Sequence, residues 1–112
     1  MEFNQYNTTV QQWIHTVLEN RETNADVVLE CCRDIIAYGR ETDDPKLMGF
    51  GFFYGGEIYY ELNDGAHFFH MMTEALTYLD RAEEWELVVR CYNFLGIASM
   101  SRGNPSLALD YY

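Results

Sequence analysis

Apolar side chains recur at steps of three and four along most of the chain, and short polar clusters interrupt them at regular intervals. Phe3, Tyr6, Val10, Trp13, Ile14 and Val17 fall on one helical stripe, which predicts a first helix ending where residues 20–24 break the pattern. Val28, Cys31, Cys32, Ile35 and Ile36 predict a second helix over about 25–40, closed by Thr42, Asp43 and Asp44. Pro45 suits a first helical turn, where its missing N–H costs nothing, and opens a third helix that runs to about Leu62. Asn63, Asp64 and Gly65 each favour turn geometry. Beyond them Phe68, Met72, Ala75, Leu76 and Leu79 describe a fourth amphipathic helix, and the chain turns again over 81–84. A fifth helix carries Leu87, Cys91, Phe94, Leu95 and Ala98 to a Gly103-Asn104 turn, where Pro105 opens a sixth that is cut short at Tyr112. No alternating pattern of strands competes. The expected fold is all-α, a single domain over 1–112 made of antiparallel helix pairs at about 3–40, 45–82 and 84–112.

Charge narrows the choice of partner. Eighteen acidic against seven basic side chains give a net charge of -11, spread over both halves of the chain, so the surface repels phosphate backbones and anionic membranes alike. With 48% hydrophobic residues the chain has the material for a core, and it is expected to fold. The N-terminus lacks the basic stretch of a secretory signal. The longest uncharged apolar run, 47–56, is about half of the ~20 residues that a membrane-spanning helix needs. Cys31, Cys32 and Cys91 form neither a Cys-x-x-Cys pair nor an even disulfide set, which fits a reducing cytoplasm.

Candidate chemistry is sparse. The glycine-rich run 49–56 follows no strand and precedes no Lys-Ser or Lys-Thr, so it is not a nucleotide loop. Glycine inside a helix costs ~1 kcal/mol relative to alanine, so Gly51, Gly55 and Gly56 imply a compensating close approach by a neighbouring helix. His67, His70 and Glu74 share one helical face and are the single candidate metal constellation, but they lack the further ligands of a complete site. Asp43-Asp44 and Glu83-Glu84 sit in interhelical turns, where acids stabilise the next helix N-terminus. With no nucleophile elbow or Cys-His pair, neither an enzyme nor a bound cofactor is expected.

The glycines also mark an internal repeat: Gly56 and Gly96 sit mid-helix, each about eight residues before a turn of Gly with Asn or Asp. Leu95, Gly96, Gly103, Asn104, Ala108 and Tyr112 follow the grammar of a tetratricopeptide repeat: a Leu-Gly pair, a tight turn, an alanine and an aromatic. Residues 45–112 resemble N-terminal tetratricopeptide regions of bacterial signalling proteins, notably multidomain diguanylate cyclases with a C-terminal GGDEF domain. The resemblance implies a right-handed stack of about six helices, the last truncated, at the N-terminal end of a longer protein. It implies a non-catalytic sensory or interaction module that binds a protein or peptide in a concave groove. The groove positions it implies are Phe50, Phe53, Glu57 and Tyr60 in the third helix and Arg90, Asn93, Ile97 and Met100 in the fifth. Gln5, Thr9, Gln12 and Thr16 would contribute from the first. No GGDEF residues occur in this chain. A small acidic chaperone or adaptor is the alternative of a different class, and a metal-dependent enzyme at His67, His70 and Glu74 a third. The apolar C-terminal helices predict self-association through that end.

Overall fold

A computed structural model describes residues 2–101 as five α-helices and the short segments between them. They are α1 (Thr8–Asn20), α2 (Ala25–Glu41), α3 (Pro45–Glu61), α4 (Gly65–Arg81) and α5 (Trp85–Ser101). The last four begin at residues 25, 45, 65 and 85, a constant step of 20. That regularity comes from one turn used three times. Thr42, Leu62 and Ala82 close their helices; Asp43, Asn63 and Glu83 then adopt positive φ of 52°, 58° and 58°. The next residue's N–H reaches back five positions, from Asp44 to the Gly39 carbonyl, Asp64 to Tyr59 and Glu84 to Leu79, in the Schellman pattern. In two of the three turns that residue then caps the following helix. The Asp44 carboxylate accepts from Leu47 N–H and Asp64 from His67 N–H, as Asn7 and Asn24 do for Val10 and Val27.

Helices pack mostly against their sequence neighbours, and α3 lies at the centre. Every α3 residue from Leu47 to Ile58 is buried, so this helix is apolar all round, whereas α1, α2 and α4 bury one stripe each. Glycines allow it. A Cβ at Gly49 would lie 2.6 Å from Leu79 Cδ2 of α4, and one at Gly56 3.0 Å from Met72 Cε and 3.3 Å from Met71 Cβ. On the opposite side a Cβ at Gly51 would lie 2.6 Å from Ile36 Cγ1 and 3.0 Å from the Cys32 carbonyl oxygen of α2. The close approach expected of Gly51, Gly55 and Gly56 is therefore present, and it is made by both flanking helices. Cys32 and Cys91 fill core positions as expected, and Cys31 is half-buried. Burial pushes the Cys91 thiol up to about 12, so it stays protonated at neutral pH.

The first helix begins later than its apolar pattern predicts. Asn7 caps it, so Phe3 and Tyr6 belong to a turn before the helix, closed by the Tyr6 N–H donating to the Phe3 carbonyl, and not to the helical stripe. Both pack across α3 instead: Phe3 meets the Phe50 ring edge-on at 5.2 Å, and the Tyr6 hydroxyl donates to the Asp44 carboxylate at 2.8 Å. Lys46 secures the same segment, donating to the Glu2 carbonyl and lying 5.0 Å over the Phe3 ring. The expected Gly103-Asn104 turn, the sixth helix from Pro105 and the repeat residues Ala108 and Tyr112 lie outside the described residues. Among the described residues there is no strand, and no helix is long and apolar enough to cross a membrane.

Two substitutions in α3 separate close packing from helix propensity. Gly51→Ala places a methyl against a stiff β-branched side chain and a backbone carbonyl, and is expected to cost ~1–2 kcal/mol net of the ~1 kcal/mol propensity gain. Gly55→Ala meets only the flexible end of Met71 at 2.4 Å, and is expected to leave stability unchanged or raise it by up to ~1 kcal/mol. Denaturant titrations of the two variants decide; equal effects would disprove the distinction. In the third turn Glu83 holds a left-handed conformation that glycine adopts without strain, so Glu83→Gly is expected to stabilise by ~0.5–1 kcal/mol. A lower melting temperature for that variant would contradict this.

Candidate functional site

Phe50, Phe53, Tyr54 and Glu57 follow one another at helical spacing and form the face of α3 that neither α2 nor α4 covers. Side chains from just past the end of α1 and from α5 reach it. Glu57, the one charged residue between Leu47 and Tyr60, is 4% exposed, and such burial of a carboxylate requires a partner. It has two. Arg21, just past the end of α1, forms a bidentate pair with both Glu57 oxygens at 2.8 Å, and Arg90 of α5 reaches Oε2 at 3.4 Å. Each guanidinium also lies on an aromatic face, Arg21 5.2 Å from the Tyr54 ring centre and Arg90 4.8 Å from that of Phe53. Among the described residues no buried side-chain nitrogen or oxygen lacks a hydrogen-bond partner.

Beside this bridge lies a cleft of about 160 Å³ between α1 and α5, with α3 as its floor. Phe3, Leu18, Phe50, Tyr54 and Leu87 supply its apolar wall, and Glu84, Glu86 and Arg90 stand at its lip. Lys46 is 4.0 Å from the Glu84 carboxylate.

Of the groove positions expected from the sequence, Phe50, Phe53, Glu57 and Arg90 come together here. Phe50, Phe53 and Glu57 are buried, so they form the floor of the face and not its exposed surface. Tyr60 is half-buried and packs edge-on against Phe94 and tilted against Phe68. Asn93, Ile97 and Met100 are exposed on α5; Ile97 is 45% and Met100 61% exposed. Gln5, Thr9 and Gln12 are exposed and Thr16 is half-buried. Arg21, Leu18, Tyr54 and Leu87 were missed from sequence. One signal pointed toward Arg21: a lone carboxylate inside an apolar helix demands a cation from elsewhere in the chain.

The metal constellation does not assemble. His67 turns to its own helix cap, 2.7 Å from Asp64 Oδ2, and stacks on Tyr59 at 4.7 Å, while His70 lies edge-on to Phe52 at 6.4 Å. Among the described residues no group of three or more His, Cys, Asp or Glu side chains is placed to hold a metal ion. The shared helical face of His67, His70 and Glu74 is real, but sharing a face does not make side chains converge. Comparison with known proteins finds no matching protein family, no matching curated protein and no matching solved structure.

Breaking a buried ion pair leaves an uncompensated charge and costs ~3–5 kcal/mol when both partners are fully buried. The guanidiniums here are 29% and 33% exposed, so water takes up part of the loss and Glu57→Gln is expected to cost ~2 kcal/mol. A double-mutant cycle on Arg21 and Glu57 should show a larger coupling than one on Arg90 and Glu57, following the two distances. Coupling indistinguishable from zero in both cycles would show that the bridge is passive.

Proposed function

We propose that this chain is a non-catalytic, tetratricopeptide-like interaction module that binds a protein or peptide across the face formed by α1, α3 and α5. The observation that carries the reading is the cleft itself, an apolar hollow between the two outer helices beside a satisfied charge bridge. The constant 20-residue step supports a repeat architecture, a right-handed stack in which α1, α3 and α5 occupy equivalent places. The resemblance of residues 45–112 to the N-terminal regions of GGDEF-type diguanylate cyclases supports a sensory role, with partner binding regulating an output domain.

A second observation favours self-association through α5. On α3 the row containing Gly49, Phe52, Gly56 and Tyr60 is the row that α4 covers, through Leu79, Tyr78, Met72 and Phe68. Forty residues on, α5 carries Val89 and Met100 at the places of Gly49 and Tyr60, and they are 57% and 61% exposed; Trp85, at the start of the row, is 55% exposed. Another copy of the chain would bury them.

Selection from a random library of ~12-residue displayed peptides, against the wild-type chain and against Asn93→Glu and Ile97→Glu, tests the module. Both side chains are exposed, so the variants should melt with the wild type, while selected peptides are expected to lose about tenfold in affinity. Peptides that bind all three proteins equally, or no enrichment at all, would defeat the proposal. Light scattering on the same samples should give a dimer mass for the wild type, and a monomer would remove the self-association reading.

A further inference from the structure

The cleft between α1 and α5 is small. A cavity of ~150 Å³ accommodates one benzene molecule. The cleft's volume of about 160 Å³ therefore matches one large apolar side chain. Its walls have the matching chemistry, with aromatic faces from Phe3, Phe50 and Tyr54 and aliphatic ones from Leu18 and Leu87. A partner's anchor residue would enter here while the rest of the partner stayed outside, the usual arrangement of an interface hot spot.

The lip decides which residues can flank that anchor. Arg21 and Arg90 are both engaged by Glu57, and Lys46 lies 4.0 Å from Glu84 while donating to the Glu2 carbonyl. Three cations and three carboxylates, Glu57, Glu84 and Glu86, thus stand in and around the cleft and cancel in sum. Glu57 carries one charge against two guanidiniums, so the bridge keeps one positive charge, which Glu86 balances; Glu86 is exposed and, among the described residues, has no ion-pair partner. Beyond the lip the whole chain carries a charge of -11, and a field of that sign concentrates cationic partners and repels anionic ones.

We propose that the cleft seats a single leucine-, methionine- or phenylalanine-sized side chain of a cationic peptide segment, with a flanking lysine or arginine paired to Glu86. The proposal rests on the interaction-module reading above and adds to it the anchor position and the sign of the partner's charge.

Titration of the isotope-labelled full chain with three blocked tripeptides, followed by amide chemical shifts, tests it. Acetyl-Lys-Leu-Lys-amide is expected to shift the amides of Leu18, Tyr54 and Leu87. Replacing the central leucine by alanine should weaken binding about tenfold, as loss of methylenes from an apolar pocket does. Acetyl-Glu-Leu-Glu-amide should bind weakest of the three, and Glu86→Gln should cost the Lys-Leu-Lys peptide about threefold with no change in melting temperature. Equal binding of the glutamate-flanked peptide would overturn the charge assignment and leave the cleft as an anchor site. If no tripeptide shifts the cleft residues while library peptides still depend on Asn93 and Ile97, this proposal is lost and the interaction module stands. If library peptides fail as well, both are lost.

Discussion

Close approach of two helices to α3 from opposite sides is the constraint on which the remaining packing rests. A helix buried all round must satisfy two neighbours at once, and side chains long enough to fill one interface would hold the other apart. Glycine at positions 49, 51, 55 and 56 resolves the conflict by letting Leu79, Ile36, Met71 and Met72 lie directly on the α3 backbone. The bulk then comes from the residues between: Phe52 stacks on Tyr78 of α4, while Phe50, Phe53 and Tyr54 fill the third face. Four glycines in 17 residues give α3 poor intrinsic helicity, so its helical state is a product of burial and not of local preference.

The same geometry explains why a carboxylate tolerates the core. With α2 and α4 drawn tight, the third face of α3 is left to α1 and α5, which cannot both close over it. Glu57 fills the gap electrostatically, holding Arg21 from one side and Arg90 from the other while Tyr54 and Phe53 support the guanidiniums. An apolar residue at position 57 could pack there, but it would not fix the ends of α1 and α5 against a common point.

Much of the helical layout could be read from sequence, because the signals that set it are local. Asp43-Asp44-Pro45 and Asn63-Asp64-Gly65 carry both the left-handed residue and the cap within three positions, and the structure turns at both. Glu83-Glu84 has the same geometry with less typical residues, so the turn could be placed but its backbone conformation could not. The first helix was set too early because Phe3 and Tyr6 happen to continue the spacing of Val10, and the Asn7 cap was overlooked beneath that periodicity. The charge bridge was out of reach for a different reason. Arg21 lies 36 positions from Glu57 in a stretch that reads only as a break between helices, and no local rule pairs them. His67 shows the converse case: its spacing with His70 and Glu74 suited a metal face that lacked further ligands, and the side chain pairs instead with its own cap.

The terminal helices have a consequence for how the chain moves. Within the described residues α1 leans chiefly on α2 and α5 chiefly on α4, whereas α3 is clasped on both sides. Opening free energies in sequentially packed helices of this kind fall from the middle outward, and either end can fray without dissolving the centre. The charge bridge is where the two fraying ends share a support. A side chain lodged between Leu18 and Leu87 would stiffen both together, so the state of one terminus would be felt at the other through lost freedom alone, with no change of shape required.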